Sequence, residues 1–194
     1  MRRNRGLTFV EKKKVFSREL IREILITTFY CLAGILIAVV LVVAFGMKTP
    51  VIGVSMEPGL SNSQEVLMDR FAFKLVTLSR NDVVCFYPKG NENSHIYVKR
   101  IIGMPGETVQ IKDGYVYING VRLLENEEFD KIEDPGDAES EFVLGDNEYF
   151  VLGDNRNNSE DSRNGNIGAV NKDTIVGKAW FKLSVNNNKF GLID

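Results

Sequence analysis

The chain has 194 residues and a formal net charge of −2, enough for one ordinary core with appendages. Its charge is uneven: residues 1–23 carry eight Lys/Arg (Arg2, Arg3, Arg5, Lys12, Lys13, Lys14, Arg18, Arg22) against three Glu, while residues 48–194 keep sixteen basic and twenty-three acidic groups. A basic head abutting an apolar run marks the cytoplasmic side of a membrane span rather than a nucleic-acid contact, and two cysteines, Cys31 and Cys85, supply neither a disulfide framework nor a metal site.

Residues 24–47 contain no charged side chain. As a helix they reach about 36 Å, which crosses a hydrocarbon core of about 30 Å with some tilt. A cleaved signal peptide has a shorter apolar region, of about 7 to 15 residues, and a small-x-small cleavage site. Here Lys48-Thr49-Pro50 follows instead, so an uncleaved anchor is expected. The reading is then a cytoplasmic segment at 1–23, a transmembrane helix at 24–47 and an extracytoplasmic body at 48–194, on a cell membrane.

Directly after the span comes Gly53-Val54-Ser55-Met56-Glu57-Pro58, a serine in a loop bracketed by glycine and proline. Beyond it the apolar stretches are short, β-branched and separated by turn residues, which predicts antiparallel strands. Candidates are 66–68, 83–87 and 97–102, then 109–111, 115–118 and 121–123, the last three joined by Asp113-Gly114 and Asn119-Gly120. Asp-Gly and Asn-Gly suit two-residue hairpin turns because both positions tolerate positive φ. Residues 125–148 hold eleven carboxylates and one lysine, a composition that predicts a solvated loop burying little surface. Strands resume at 148–152 and 175–183, the latter with Trp180. Cys31 in the apolar run and Cys85 in Val83-Val84-Cys85-Phe86-Tyr87 read as buried small hydrophobes.

The only histidine, His95, lies in the polar turn Asn91-Glu92-Asn93-Ser94-His95, where an exposed ring needs no functional reason. Without a histidine base, a serine can be activated by a lysine whose pKa falls from about 10.4 towards neutrality. Lys99 sits in Ile96-Tyr97-Val98-Lys99-Arg100-Ile101-Ile102. Strand alternation sets Tyr97, Lys99 and Ile101 on one face and Val98, Arg100 and Ile102 on the other. On these residues alone the Lys-Arg pair reads first as a solvent-facing edge, with a desolvated base beside a cationic neighbour as the alternative. The segment from Gly153-Asp154-Asn155-Arg156 to Ser159-Glu160-Asp161-Ser162-Arg163 has the composition of a polar loop whose side chains satisfy the backbone.

Together with Arg80-Asn81-Asp82-Val83 and Gly103-Met104-Pro105-Gly106-Glu107, these ordered segments resemble the type I signal peptidases, membrane-anchored serine endopeptidases that remove signal peptides from exported proteins. The resemblance implies a mainly β fold: an antiparallel, barrel-like extracytoplasmic catalytic body on one N-terminal transmembrane helix. It implies Ser55 as nucleophile and Lys99 as its neutral amine base. It further implies that Ser159 orients the lysine, that Asp161, Arg163 and Asp154 support the site from behind, and that Met56 and Pro58 shape the nucleophile loop; Arg100, read from the strand itself, adds positive charge beside Lys99. The Ser55 N–H is implied as one oxyanion donor. Some relatives add a serine hydroxyl two residues earlier, where this chain has Gly53, so the second donor stays open. No cofactor or metal is implied. The implied substrates are preproteins with small side chains at the first and third positions before the cut, and the other expected partner is the lipid bilayer, not nucleic acid. The compact spacing between Lys99 and Gly153 resembles Gram-positive forms. Two other readings remain: a membrane-tethered β module that binds without catalysis, and a self-cleaving repressor-type Ser-Lys protease.

Overall fold

The computed structural model describes residues 17–125, 129–183 and 190–193. The chain divides into two compact units at residues 40/41. Helix α1 (Arg18–Phe45), which makes up the described part of the first unit and runs on past the division, begins where Ser17 Oγ accepts the Leu20 N–H at 3.1 Å, an N-cap that satisfies an otherwise orphaned donor. Within Arg18–Val42 an 18-residue window has a mean hydropathy of 2.6 and is unburied, so the helix is long and apolar enough to cross a membrane. The helix differs from the expected 24–47 at both ends: the cap recruits Arg18–Glu23, and Met47 already belongs to a strand. Residues 1–16, with most of the basic head, lie outside the described residues.

The second unit is mainly antiparallel β. Strands β1 (Met47–Pro50), β2 (Glu65–Asp69), β3 (Val83–Phe86), β4 (Tyr97–Gly103), β9 (Glu148–Leu152), β10 (Val170–Asn171), β11 (Ile175–Lys182) and β12 (Gly191–Leu192) form an eight-stranded sheet. Its order is β1-β2-β11-β3-β4-β9-β10, with β12 beside β11. The sheet curls into a half-barrel, with β1 and β10 at its ends rather than paired with each other. Pro50 is tolerated in β1 because that strand is an edge.

A four-stranded sheet, in the order β7-β6-β5-β8, is built from β5 (Thr108–Lys112), β6 (Tyr115–Ile118), β7 (Val121–Arg122) and β8 (Phe142–Val143). Its tight turns carry positive φ at both central residues, 52° and 82° at Asp113-Gly114 and 50° and 78° at Asn119-Gly120. That is the pairing whose twist matches the flanking strands.

Because β3 and β4 are central, both of their faces are covered. Val83 and Cys85 pack with Val51, Met56, Leu60 and Val98, whereas Val84 and Phe86 pack with Ile101, Tyr149 and Val151. The acidic segment departs from the expected solvated loop. Ile132, Ala138 and Leu144 are buried in the cluster of Val109, Ile111 and Val116, and the Ile132 N–H donates to Gly114 O at 3.1 Å. Three apolar residues spaced along the segment fasten it, while Asp130, Glu133, Asp134, Asp137, Glu139, Glu141 and Asp146 stay exposed. Residues 126–128 lie outside the described residues.

Candidate active site

The loop between β1 and β2 is closed at its base by two bonds, Val51 N to Gln64 O at 2.9 Å and Ser63 N to Val51 O at 2.8 Å. Gly53 has φ +84°, a value that favours glycine, and its N–H donates to Asn62 Oδ1 at 3.0 Å. Met56 is fully buried and Leu60 nearly so, which anchors the loop on the core below β3 and β4. Pro58 is exposed and Ser55 half-buried. A second clamp comes from across the chain. Asn155 donates its backbone N–H to Ser55 O at 3.0 Å and its side-chain amide to Val54 O at 3.2 Å. The Ser55 N–H has no partner among the described residues, whereas that of Gly53 is committed to Asn62.

Lys99 reaches this loop from β4. Its Nζ lies 2.7 Å from Ser55 Oγ, and the residue is 3% exposed. Burial pushes its pKa down to about 8, against the pull of Asp161, Glu160 and Asp154, which favour the ammonium. The ammonium also sits 5.5 Å from the Tyr97 ring centre. The solvent-facing reading of the Lys-Arg pair is therefore excluded, since Arg100 is buried too. Rather than acting as a free cation, Arg100 makes a two-point pair with Asp154, at 2.8 Å from Nε to Oδ1 and 2.8 Å from Nη2 to Oδ2.

A second buried pair backs the site. Arg163 donates to Asp161 Oδ1 at 2.8 Å and to Oδ2 at 2.9 Å, and Asp161 Oδ2 also accepts the Gly153 N–H at 3.1 Å. Arg163 further donates to Arg156 O at 2.6 Å and Asp134 O at 3.1 Å, tying the acidic segment to the site. Gly153 sits in a contact that a side chain would fill: an added Cβ would come 2.2 Å from Ser159 Oγ and 2.4 Å from Ser55 O. Ser159 Oγ is buried without a hydrogen-bond partner, so the bond to Lys99 that the resemblance implies is not formed.

His95 stacks on Tyr97 with ring centres 4.6 Å apart. It lines a pocket of about 170 Å³ together with Ser55, Tyr97, Val98, Lys99 and Glu160, but among the described residues no hydrogen bond joins its ring to Ser55. Cys85 is fully buried, and desolvation pushes its thiol up to about 12, the state of an inert thiol. Among the described residues no three His, Cys, Asp or Glu side chains converge as a metal site. Sequence reasoning missed Arg156, whose guanidinium is buried against Glu125 at 2.5 and 2.8 Å. It also missed Asn155 as a clamp and Glu160 at the pocket. The first two depend on partners 31 and about 100 positions away, for which no local pattern exists.

The arrangement can deprotonate a hydroxyl with a buried amine beside an unused backbone donor, which is acyl-transfer chemistry. A sequence model of the family described as signal peptidase, peptidase S26 matches residues 21–184. Signal peptidase I P of Bacillus subtilis subsp. natto is 40% identical over 134 residues, covering 64% of this chain and 70% of that protein. Signal peptidase I V of Bacillus subtilis strain 168 is 34% identical over 164 residues, covering 77% and 94% respectively. A crystal structure of a signal peptidase I from Enterococcus faecalis V583 is 32% identical, with a TM-score of 0.41, covering 53% of this chain and 97% of that one.

Proposed function

The chain belongs to the peptidase S26 family of signal peptidases, and from that premise we propose that it cleaves preproteins with Ser55 as nucleophile and Lys99 as general base. As a family member it is a serine peptidase, a hydrolase acting on signal peptides. The observation that carries the Ser-Lys reading is the 2.7 Å approach of Lys99 Nζ to Ser55 Oγ by a lysine with 3% exposure.

In this mechanism the neutral Lys99 amine takes the Ser55 hydroxyl proton as Oγ attacks the scissile carbonyl. The resulting ammonium returns that proton to the leaving amine. Water then hydrolyses the acyl-enzyme with Lys99 again as base. The unpartnered Ser55 N–H serves as an oxyanion donor, a contribution of about 3 to 4 kcal/mol. Gly53 does not add a second through its own N–H, which Asn62 holds. Ser159, buried beside Gly153 without a partner, is the acceptor available to orient Lys99. The buried pairs Arg100–Asp154 and Arg163–Asp161 hold the strand and loop from which these groups project.

The reading extends to the membrane. Helix α1 anchors the protein in the cell membrane, with the basic end cytoplasmic and residues 48–194 outside, where exported chains emerge. Substrates carry small side chains at the first and third positions before the cut. The test is to incubate the full chain, in detergent or lipid, with a preprotein and to sequence the new N-terminus. Cleavage after a small-x-small motif that Ser55→Ala abolishes is expected; cleavage that persists in Ser55→Ala refutes the assignment.

A further inference from the structure

Three carboxylates exert their field on Lys99: Asp161, Glu160 and Asp154. Two of them are buried and already matched, Asp161 by Arg163 and Asp154 by Arg100. Glu160 differs on both counts. It is exposed, and among the described residues no Lys or Arg pairs with it. It nevertheless lines the Ser55–Lys99 pocket.

A carboxylate on a polar loop is ordinarily free to turn into solvent, which would make its charge irrelevant to a substrate. Here both oxygens are held. The Tyr97 hydroxyl donates to Oε2 at 3.0 Å, and the Asn166 amide lies 3.5 Å from Oε1. Tyr97 is itself braced by the stacked His95 ring. Tyr97 and Lys99 leave the same face of β4, so the phenol that holds Glu160 is also a wall of the pocket. The charge is thus oriented on the pocket lining. Unlike the two buried pairs, it forms no ion pair among the described residues.

We propose that Glu160 is a specificity-determining residue whose carboxylate favours a basic, and disfavours an acidic, substrate side chain beside the scissile bond. The inference rests on the peptidase reading given above. The positions before the cut that take small side chains carry no charge to read. Charge can therefore vary at the second residue before the cut and at the first residue after it.

The experiment uses the full chain in detergent micelles and two sets of signal-peptide-bearing substrates. Within each set the peptides differ only by Asp, Asn or Lys at one of those two positions. Wild type is expected to prefer Lys over Asp in kcat/KM by about three- to tenfold at one of them, the combined size of one attraction and one repulsion between partly solvated charges. Glu160→Gln should bring that ratio close to one, a ratio that cancels any change in rate common to all the peptides, and added salt should shrink the wild-type preference. An unchanged ratio in Glu160→Gln at both positions overturns the inference. So does a wild type that cleaves the Asn peptides but shows no charge preference, a result that leaves the peptidase reading intact. If wild type cleaves none of the peptides, the peptidase reading falls and the inference with it.

Discussion

Asn155 grips the Ser55 loop at two points, through its backbone N–H on Ser55 O at 3.0 Å and its side-chain amide on Val54 O at 3.2 Å. The residue before it, Asp154, is the partner of Arg100, the neighbour of Lys99. The two groups proposed for catalysis are therefore attached to one short loop, Gly153–Asn155, from opposite sides. Misplacement of that loop moves both together.

Removing either member of the proposed dyad should abolish turnover without unfolding the protein. Ser55→Ala and Lys99→Ala are each expected to lower kcat by about a thousandfold or more. Lys99→Arg should be equally inactive, because a guanidinium does not deprotonate in the working range. Preprotein cleavage assays alongside circular dichroism would check this, and an active Lys99→Arg would remove lysine from the role of base.

The Lys99 pKa of about 8 implies a kcat/KM that climbs with pH through that value as the base loses its proton. It also carries a stability effect of definite sign. The folded pKa lies below the ordinary value of 10.5, so the folded state binds fewer protons than the unfolded one and stability rises with pH between about 8 and 10.5. Below pH 8 the full penalty, on the order of 3 kcal/mol, is present. Lys99→Met should consequently raise Tm at pH 7 and flatten its pH dependence above 8, at the expense of activity.

Gly153→Ala tests the close contact behind the nucleophile. Its methyl would intrude to 2.4 Å from Ser55 O and 2.2 Å from Ser159 Oγ, so the loop must shift. A loss of kcat on the order of a hundredfold is expected, with about 1–3 kcal/mol of stability. Steady-state kinetics and urea unfolding would measure the two, and wild-type kcat would mean that the contact does not position Ser55.

Breaking the Arg100–Asp154 pair should destabilise strongly, because Arg100→Ala strands the Asp154 carboxylate, which is 3% exposed. That substitution is expected to cost about 3–5 kcal/mol. The double variant should lose less than the sum, since no unpaired charge is left behind. Additive losses in urea unfolding would show that the two side chains do not act as a pair.

Neither His95 nor Cys85 is needed in the proposed chemistry. His95→Ala and Cys85→Ala should each keep kcat within a few fold, and the Cys85 thiol should react with alkylating reagents only after unfolding, as burial holds it protonated. Loss of turnover in either variant would point to a histidine or thiol mechanism instead.

Much of the second unit was legible in sequence because its determinants are local. The Asp113-Gly114 and Asn119-Gly120 turns adopt the positive φ values their composition invites, and the β-branched runs at 83–86, 97–103 and 175–182 form strands within a residue or two of expectation. The acidic segment was misread because composition averages over positions, while docking depends on where Ile132, Ala138 and Leu144 fall.

The sequence by itself determined an apolar helix, the strand series and the order of the motifs, since propensity, period and turn chemistry act over a few residues. Its motifs named Ser55 and Lys99 by resemblance, but the residues around Lys99 taken alone read as a solvent-facing strand. Only the tertiary structure decided that this lysine is buried 2.7 Å from Ser55 Oγ, that Arg100 is matched by Asp154 across 54 positions, and that Glu160 lines the pocket. Burial and charge pairing are properties of what packs against a residue, and those partners come from distant strands and loops that no local pattern specifies.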